Sequence, residues 1–173
     1  MSFVEFLQGS LQDLHRGYRD ALDGITPEQF HHRPGGRANH MAFTYWHYVR
    51  TQDNLIRFVL QRRPTLWMEG GWHERFGLDA KHQGTGYTLE QAEAVRILSL
   101  EAWREYMEQV FQETESFVRT VTEGDLDRKV TVKPLGELTL RQVLGGTILT
   151  HGWGHLGEVW YIRGVLGLQG SPL

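Results

Sequence analysis

Two histidines near the end of the chain, His151 and His155, have a spacing at which both could bind one metal ion. A helix places residues four apart on one face, so that the two imidazoles lie about 6 Å apart along the axis. They belong to a continuous apolar stripe at helical period, made up of Leu140, Leu144, Thr147, Ile148, His151, His155, Val159, Ile162 and Leu166. Because two buried imidazoles without a shared partner are costly, we interpret the pair as metal ligands rather than as separately hydrogen-bonded core residues. The pair lacks the glutamate of an HExxH motif and does not indicate a zinc protease.

A third imidazole from a facing helix is a common way to complete such a site, and His47 is the best candidate. It lies in the middle of a long predicted helix, level with the middle of its neighbours. His40 is seven residues earlier and so about 10 Å away along the axis, which prevents both from binding one ion in an unbroken helix. The other histidines are predicted to be surface, packing or scaffold residues: His15, His31, His32, His73 and His82.

Glu158 is the candidate for a catalytic carboxylate. It follows His155 by three residues and His151 by seven, so it shares their helix face. It could accept a hydrogen bond from a ligand imidazole or act as a general base. The alternative is that it only solvates the end of the pocket.

Four long helices must position these residues. Capping boxes, in which a serine or threonine is followed three residues later by glutamate or glutamine, begin at Ser2, Thr26, Thr88 and Thr139. With Asn39 as a further N-cap, we expect long helices over about 3–22, 40–61, 88–121 and 140–166. The third helix has a predicted core stripe of Val95, Leu98, Ala102, Tyr106, Val110, Phe117 and Val121. A short extended segment is expected at 130–132.

Residues 63–87 are rich in glycine and aromatics, which predicts an ordered crossover rather than a flexible linker. A connection of this length allows the helices on either side to be parallel neighbours. The last helix also contains six glycines, each of which costs roughly 0.8–1.0 kcal/mol relative to alanine. Close packing is our preferred explanation, and close backbone approach around a metal site is the alternative.

Composition limits the class of protein. A chain of 173 residues that is 40% hydrophobic is predicted to form one domain, 1–173. Its net charge of −3 and the absence of a basic stripe argue against nucleic-acid and membrane-surface partners. The sequence has no long apolar span or signal peptide, so a cytoplasmic location is expected. There is no cysteine, so thiol chemistry would need an external thiol.

Three stretches resemble the DinB-like (DinB/YfiT) superfamily, and together they extend over nearly the whole chain: TPEQFHHRPGGRANHMAFTYWHYVRTQDNLI, GWHERFGL and HGWGHLGEVWYIRGVLGLQG. The resemblance implies an all-α four-helix bundle with a long crossover between helices 2 and 3. It also implies a divalent metal site (Zn, Ni, or Fe/Mn) made by His47, His151 and His155. His40 departs from the small polar residue expected there and suggests a second polar group near the pocket mouth.

The resemblance further implies a metal-dependent enzyme that activates a low-molecular-weight thiol, such as bacillithiol, mycothiol or glutathione, for S-transfer or isomerisation of a small molecule. A hydrolase that uses a His₃-bound water and a non-catalytic, metal-stabilised binding protein are the alternatives, because fold resemblance cannot choose between them. The surplus of aromatics and the glycine-rich last helix also lead us to expect a homodimer.

Overall fold

The computed structural model describes residues 2–171, which fold mainly into helices. The elements are α1 Phe3–Leu22, α2 Pro27–Phe30, α3 Met41–Asp53, α4 Leu66–Glu69, α5 Trp72–Phe76, α6 Leu89–Glu93, α7 Leu100–Thr120, β1 Lys129–Val132, β2 Gly136–Thr139, α8 Leu140–Gln142 and α9 His151–Val165. Two π-helical segments extend them: Asn54–Leu60 continues α3, and Val143–Thr150 joins α8 to α9. Short 3₁₀ turns occupy Pro34–Gly36 and Glu123–Asp125. None of the helices within 2–171 is long and apolar enough to cross a membrane.

All four predicted capping boxes are present. In each, the first side chain accepts a hydrogen bond from the backbone N–H three residues later, and the later side chain accepts one from the cap backbone. The pairs are Ser2–Glu5, Thr26–Gln29, Thr88–Gln91 and Thr139–Gln142. Each box therefore begins a helix where the sequence predicts one.

The four long helices form a bundle in which α1 and α3 each pack against both α7 and α9. Contacts between α1 and α7 run in opposite directions along the two helices: Arg19 bonds Glu108, whereas the earlier His15 bonds the later Glu115. These two helices are therefore antiparallel.

In contrast, α3 and α7 are parallel neighbours, as the long crossover allows. The Tyr106 hydroxyl donates to Asp53 (2.9 Å), and the later Arg57 lies 3.7 Å from the later Glu113. Residue numbers thus rise together along both helices. The predicted all-α bundle with a long connection between its second and third helices is confirmed.

The crossover at residues 63–87 is ordered and folds over α3. Its Trp67 and Trp72 are buried, and the Trp67 and Phe76 rings stack at 5.8 Å. Asp53, at the end of α3, accepts from the backbone N–H groups of both Leu66 and Trp67 at 2.9 Å. Since the crossover covers one side of α3 while other helices cover the rest, almost every residue of α3 is buried and no single apolar face exists.

Two predicted helix starts are wrong. His40, not Asn39, is the N-cap of α3: its Nδ1 accepts the Phe43 N–H at 3.0 Å. The third long helix begins at Leu100, with Ser99 as its cap, rather than near residue 88.

Residues 94–99 interrupt the predicted third helix because they make contacts outside it. The Ile97 N–H donates to His31 Nε2 at 2.9 Å, which removes that backbone donor from any helical bond. Val95 and Ile97 are buried, but Leu98, predicted to lie in the core stripe, is 73% exposed. The Thr88 capping box thus begins only the five residues of α6.

The predicted extended segment at 130–132 lies in a two-stranded hairpin. β1 pairs with β2 in antiparallel register, with Val130 opposite Leu138. The second strand was not anticipated, and it leads directly into α8.

Candidate metal centre

His47, His151 and His155 converge from α3 and α9 on one point. Their potential ligand nitrogens all lie within 4.8 Å of one another, and within residues 2–171 they are the one group of three or more His, Cys, Asp or Glu side chains with that geometry. The His47 ring lies 5.2 Å from each of the other two rings. All three side chains are half-buried. The structure therefore brings together the three residues predicted as ligands, in a cluster that could hold a metal ion.

Two of the three imidazoles are oriented by an acceptor on their outer side. His47 Nδ1 lies 2.6 Å from the carbonyl oxygen of Gln83, and His155 Nδ1 lies 2.9 Å from Oε2 of Glu158. A carbonyl and a carboxylate can only accept, so each Nδ1 carries the proton and, in the neutral ring, each Nε2 carries a lone pair. Such an outer acceptor is characteristic of metal-binding histidines.

The Nε2 atoms of His151 and His155 are only 2.8 Å apart. With the His155 proton on Nδ1, its Nε2 lone pair can either accept a hydrogen bond from the N–H of His151 Nε2 or bind a cation. Metal–nitrogen bonds of about 2.0–2.1 Å place neighbouring ligand nitrogens roughly 2.9 Å apart in octahedral geometry and roughly 3.4 Å apart in tetrahedral geometry. The separation of the pair is close to the octahedral value, and a tetrahedral ion would require the two rings to move slightly apart.

The environment favours the neutral form of the His47 and His151 rings. Burial, followed by the neighbouring His155 and His47, lowers the pKa of His151 to about 4. Burial also lowers the pKa of His47. Neutral imidazole is the form that binds a metal, so His47 and His151 need lose no proton at neutral pH to do so.

Close packing holds α9 against α1 and α3 at the first turn of the helix. The Tyr18 hydroxyl donates to the Gly152 carbonyl at 3.1 Å, and the Tyr48 hydroxyl donates to the Ile148 carbonyl at 3.3 Å. A Cβ on Gly152 would lie 2.5 Å from the Tyr48 oxygen. The absence of a side chain at Gly152 thus allows the approach that places His151 opposite α3. Close packing explains this glycine, but not Gly146, Gly154 or Gly157, where a Cβ would meet nothing within 4 Å.

Glu158 lies between His155 and a surface cavity. The side chain is about half exposed, at 53%, and accepts the His155 hydrogen bond. It also lines a cavity of about 450 Å³ together with Asn39, Tyr161 and Ile162. The hydrogen bond between Glu158 and His155 is observed, whereas metal binding by His155 and the role of Glu158 as a general base stay predictions.

The remaining histidines lie outside the cluster. His40 is 1% exposed and caps α3, so Asn39 rather than His40 supplies a polar side chain to the cavity. His31 uses both nitrogens within the protein, on Pro27 and Ile97. The others are exposed or packed against neighbouring residues: His15, His32, His73 and His82.

Sequence reasoning missed Gln83 and Tyr48. Gln83 contributes its backbone carbonyl, which any residue type could supply, so no sequence signal could have identified it. Tyr48 follows His47 directly, and its hydroxyl contacts the π-helical segment that precedes His151. Neither the segment nor the contact is visible from helical period alone.

Comparison with known proteins identifies the fold. Residues 10–159 match a family model described as the DinB superfamily. No curated protein matches the chain. A crystal structure described as the conserved protein of locus from Enterococcus faecalis is similar, with a TM-score of 0.81, 22% sequence identity and coverage of 96% of this chain and 99% of that chain. At that identity the likeness shows the fold alone.

Proposed function

This chain belongs to the DinB superfamily, and we propose that it binds a divalent metal ion and activates a low-molecular-weight thiol for S-transfer or isomerisation. The proposed metals are zinc, nickel, or iron or manganese. The observation that carries the proposal is the convergence of His47, His151 and His155. The outward hydrogen bonds of His47 and His155 support it, because they leave two unprotonated nitrogens facing the centre.

Three neutral imidazoles add no charge, so a divalent cation held by them would keep its full +2 charge and favour the deprotonated form of a thiol or water that reaches it. The chain itself contains no cysteine, so the reacting thiol must come from solution.

We propose that the second substrate occupies the cavity beside Glu158; none of the three histidines lines this cavity, and Glu158 connects it to the cluster through His155. At about 450 Å³ it lies within the range of small-molecule sites, roughly 300–1,000 Å³. Tyr161 and Ile162 provide an apolar wall and Asn39 an amide for orientation. Glu158 holds the His155 ring through Nδ1, and its half-exposed carboxylate can take up the proton that the thiol loses.

A metal-dependent hydrolase is the second candidate, and the place of Glu158 favours it as well. A carboxylate that lines a cavity could also accept the proton of a water whose pKa a divalent ion held by the histidines would lower to roughly 7. The third candidate is a metal-stabilised binding protein without catalysis.

A single set of assays distinguishes these candidates. Metal-loaded protein is mixed with panels of small electrophiles and esters, with and without glutathione, bacillithiol or mycothiol. We expect turnover of an electrophile only when a thiol is present, and its loss on chelation. Turnover without a thiol would favour the hydrolase, and no turnover with any combination would contradict both catalytic proposals.

Glu158→Gln tests the carboxylate within the same assay. The amide keeps the size of the side chain but cannot take up a proton, so we expect thiol-dependent turnover to fall about 10- to 100-fold. Glu101→Gln, an exposed change on α7, is the matched control and should leave turnover unchanged. Equal rates in the two variants would remove Glu158 from the mechanism.

A further inference from the structure

A second cavity, of about 700 Å³, lies where the end of α3 meets the crossover. We call it the arginine cavity and define it by Arg50, Phe58, Arg62, Met68 and Lys81, which line it. It shares no lining residue with the cavity beside Glu158. Its volume is that of a small-molecule site.

One side of the arginine cavity is apolar. Phe58 and Met68 are 58% and 46% exposed, among the large hydrophobic side chains that folding leaves in contact with water. Scattered exposed apolar residues need no explanation, but these two line the same concave surface. They offer an apolar ligand a surface to cover.

The cavity also carries exposed positive charge. Within the part of the chain that the structure describes, Arg62 and Lys81 form no ion pair, whereas the adjacent Arg63 lies 3.4 Å from Glu113. Two cations without a carboxylate partner at one cavity favour an anionic ligand.

Arg50 adds a buried guanidinium to the cavity wall. Its side chain is 2% exposed and stacks over the Trp67 ring at 4.9 Å. Nη2 donates to the Ala80 carbonyl at 3.3 Å, and Nη1 lies 3.6 Å from Asp53. Nε and Nη1 have no hydrogen-bond acceptor among residues 2–171. Asp53 is engaged by Tyr106 and two backbone N–H groups, so its ion pair with Arg50 leaves these two buried guanidinium nitrogens without a hydrogen bond.

Arg62 adopts a left-handed backbone conformation that residues other than glycine disfavour. Its φ of +59° is the one positive value of a non-glycine residue in the described chain. The position follows a helix end, where the Arg63 N–H returns to the Arg57 carbonyl at 2.9 Å, and glycine is the usual residue at such a left-handed turn. An arginine here keeps a cation at the edge of the cavity at a conformational cost.

We propose that the arginine cavity binds a small organic acid, with its carboxylate near Arg50, Arg62 and Lys81 and its apolar body against Phe58 and Met68. A guanidinium presents paired N–H groups that match the two oxygens of a carboxylate, which favours this head group. The proposal does not depend on metal binding, since none of these residues belongs to the histidine cluster.

Titration calorimetry of the full chain, freed of metal beforehand and exchanged into a buffer without carboxylates, tests the charge requirement. The probe is octanoate, with 1-octanol and octylamine as the neutral and cationic counterparts of equal length. We expect octanoate to bind at least about tenfold more tightly than either, because only it can use the charged hydrogen bonds. Equal binding of octanol, or no binding of octanoate, would overturn the proposal.

Two variants locate the site. Arg62→Gly removes the cation while relieving the backbone, so the protein should remain folded and bind octanoate about tenfold more weakly. Phe58→Ala should also weaken binding. The controls are Arg16→Ala and Leu89→Ala, which remove an exposed arginine from α1 and an exposed leucine from α6. Octanoate affinity that is the same in Arg62→Gly as in Arg16→Ala would place binding elsewhere.

Discussion

At the scale of single residues, the histidines differ in what their two ring nitrogens contact. In His15 and His31 both nitrogens form hydrogen bonds with protein groups, so neither ring has a nitrogen left for a metal ion. In His47 and His155 only Nδ1 bonds outward, while Nε2 faces the cluster. This difference separates structural histidines from candidate ligands, and it depends on distant partners that residue type does not reveal.

The capping histidine makes stability sensitive to acid. Burial lowers the pKa of His40 to about 4, against about 6.5 in the unfolded chain. The unfolded state therefore binds more protons between these values, so the free energy of unfolding is highest above pH 6.5 and falls towards pH 4. His40→Asn can still cap α3 but does not titrate in this range. Between pH 7 and pH 4.5 we therefore expect its free energy of unfolding to fall by roughly 1–3 kcal/mol less than that of wild type.

Urea unfolding of the metal-free protein at the two pH values measures this difference. His32→Asn, a change at an exposed position, is the control and should behave as wild type. If His40→Asn lost as much stability as wild type on acidification, His40 would not be the source.

At the scale of elements, helix starts could be predicted where their signal is local. A capping box depends on residues three apart, so all four boxes were recognised. The break at 94–99 could not be predicted, because it depends on a hydrogen bond from the Ile97 N–H to His31, 66 residues away in sequence. The two π-helical segments were missed for a similar reason, since period alone does not distinguish them from α-helix.

The effect of replacing a glycine of the last helix by alanine should depend on the atoms that surround it. A Cβ on Gly152 would lie 2.5 Å from the Tyr48 oxygen and 2.7 Å from Leu14, whereas one on Gly154 would meet nothing within 4 Å. We expect Gly152→Ala to lower the free energy of unfolding by about 1–3 kcal/mol. Gly154→Ala should raise it by up to about 1 kcal/mol.

Chemical denaturation of both variants, free of metal, provides the comparison. Changes of opposite sign in the free energy of unfolding would support the inference that Gly152 allows α9 to pack closely. A Gly152→Ala protein as stable as Gly154→Ala would contradict it.

At the scale of the whole molecule, the long crossover serves both the bundle and the candidate centre. It allows α3 and α7 to be parallel, and its residue Gln83 also supplies the carbonyl that orients His47. The HxxxH spacing and the position of His47 indicated the cluster, and the resemblance to the DinB-like superfamily supported it. The lining of the cavity beside Glu158 was not predicted, because loop residue Asn39 and helix residue Tyr161 meet only in the folded chain.

The outer face of α1 and α9 is the proposed surface for a homodimer. Phe6 and Trp153 are 45% and 42% exposed, and they line one cavity together with Gly145 and Gly146. We expect sedimentation at micromolar concentration to give a dimer, and Trp153→Glu to shift it towards monomer because a charge would be buried at the contact. Leu135→Glu, in the hairpin, is the control. A wild-type protein that sediments only as a monomer would contradict the proposal.

Metal content of purified single-histidine variants tests the central claim most directly. Protein is made without a nickel column, equilibrated with zinc or nickel, freed of unbound ion and measured by elemental analysis. We predict about one ion per chain in wild type and in His73→Ala, and loss of most of it in His47→Ala, His151→Ala and His155→Ala, because two imidazoles form a much weaker chelate. Equal metal content in wild type and His151→Ala would contradict the three-histidine centre and, with it, both catalytic proposals.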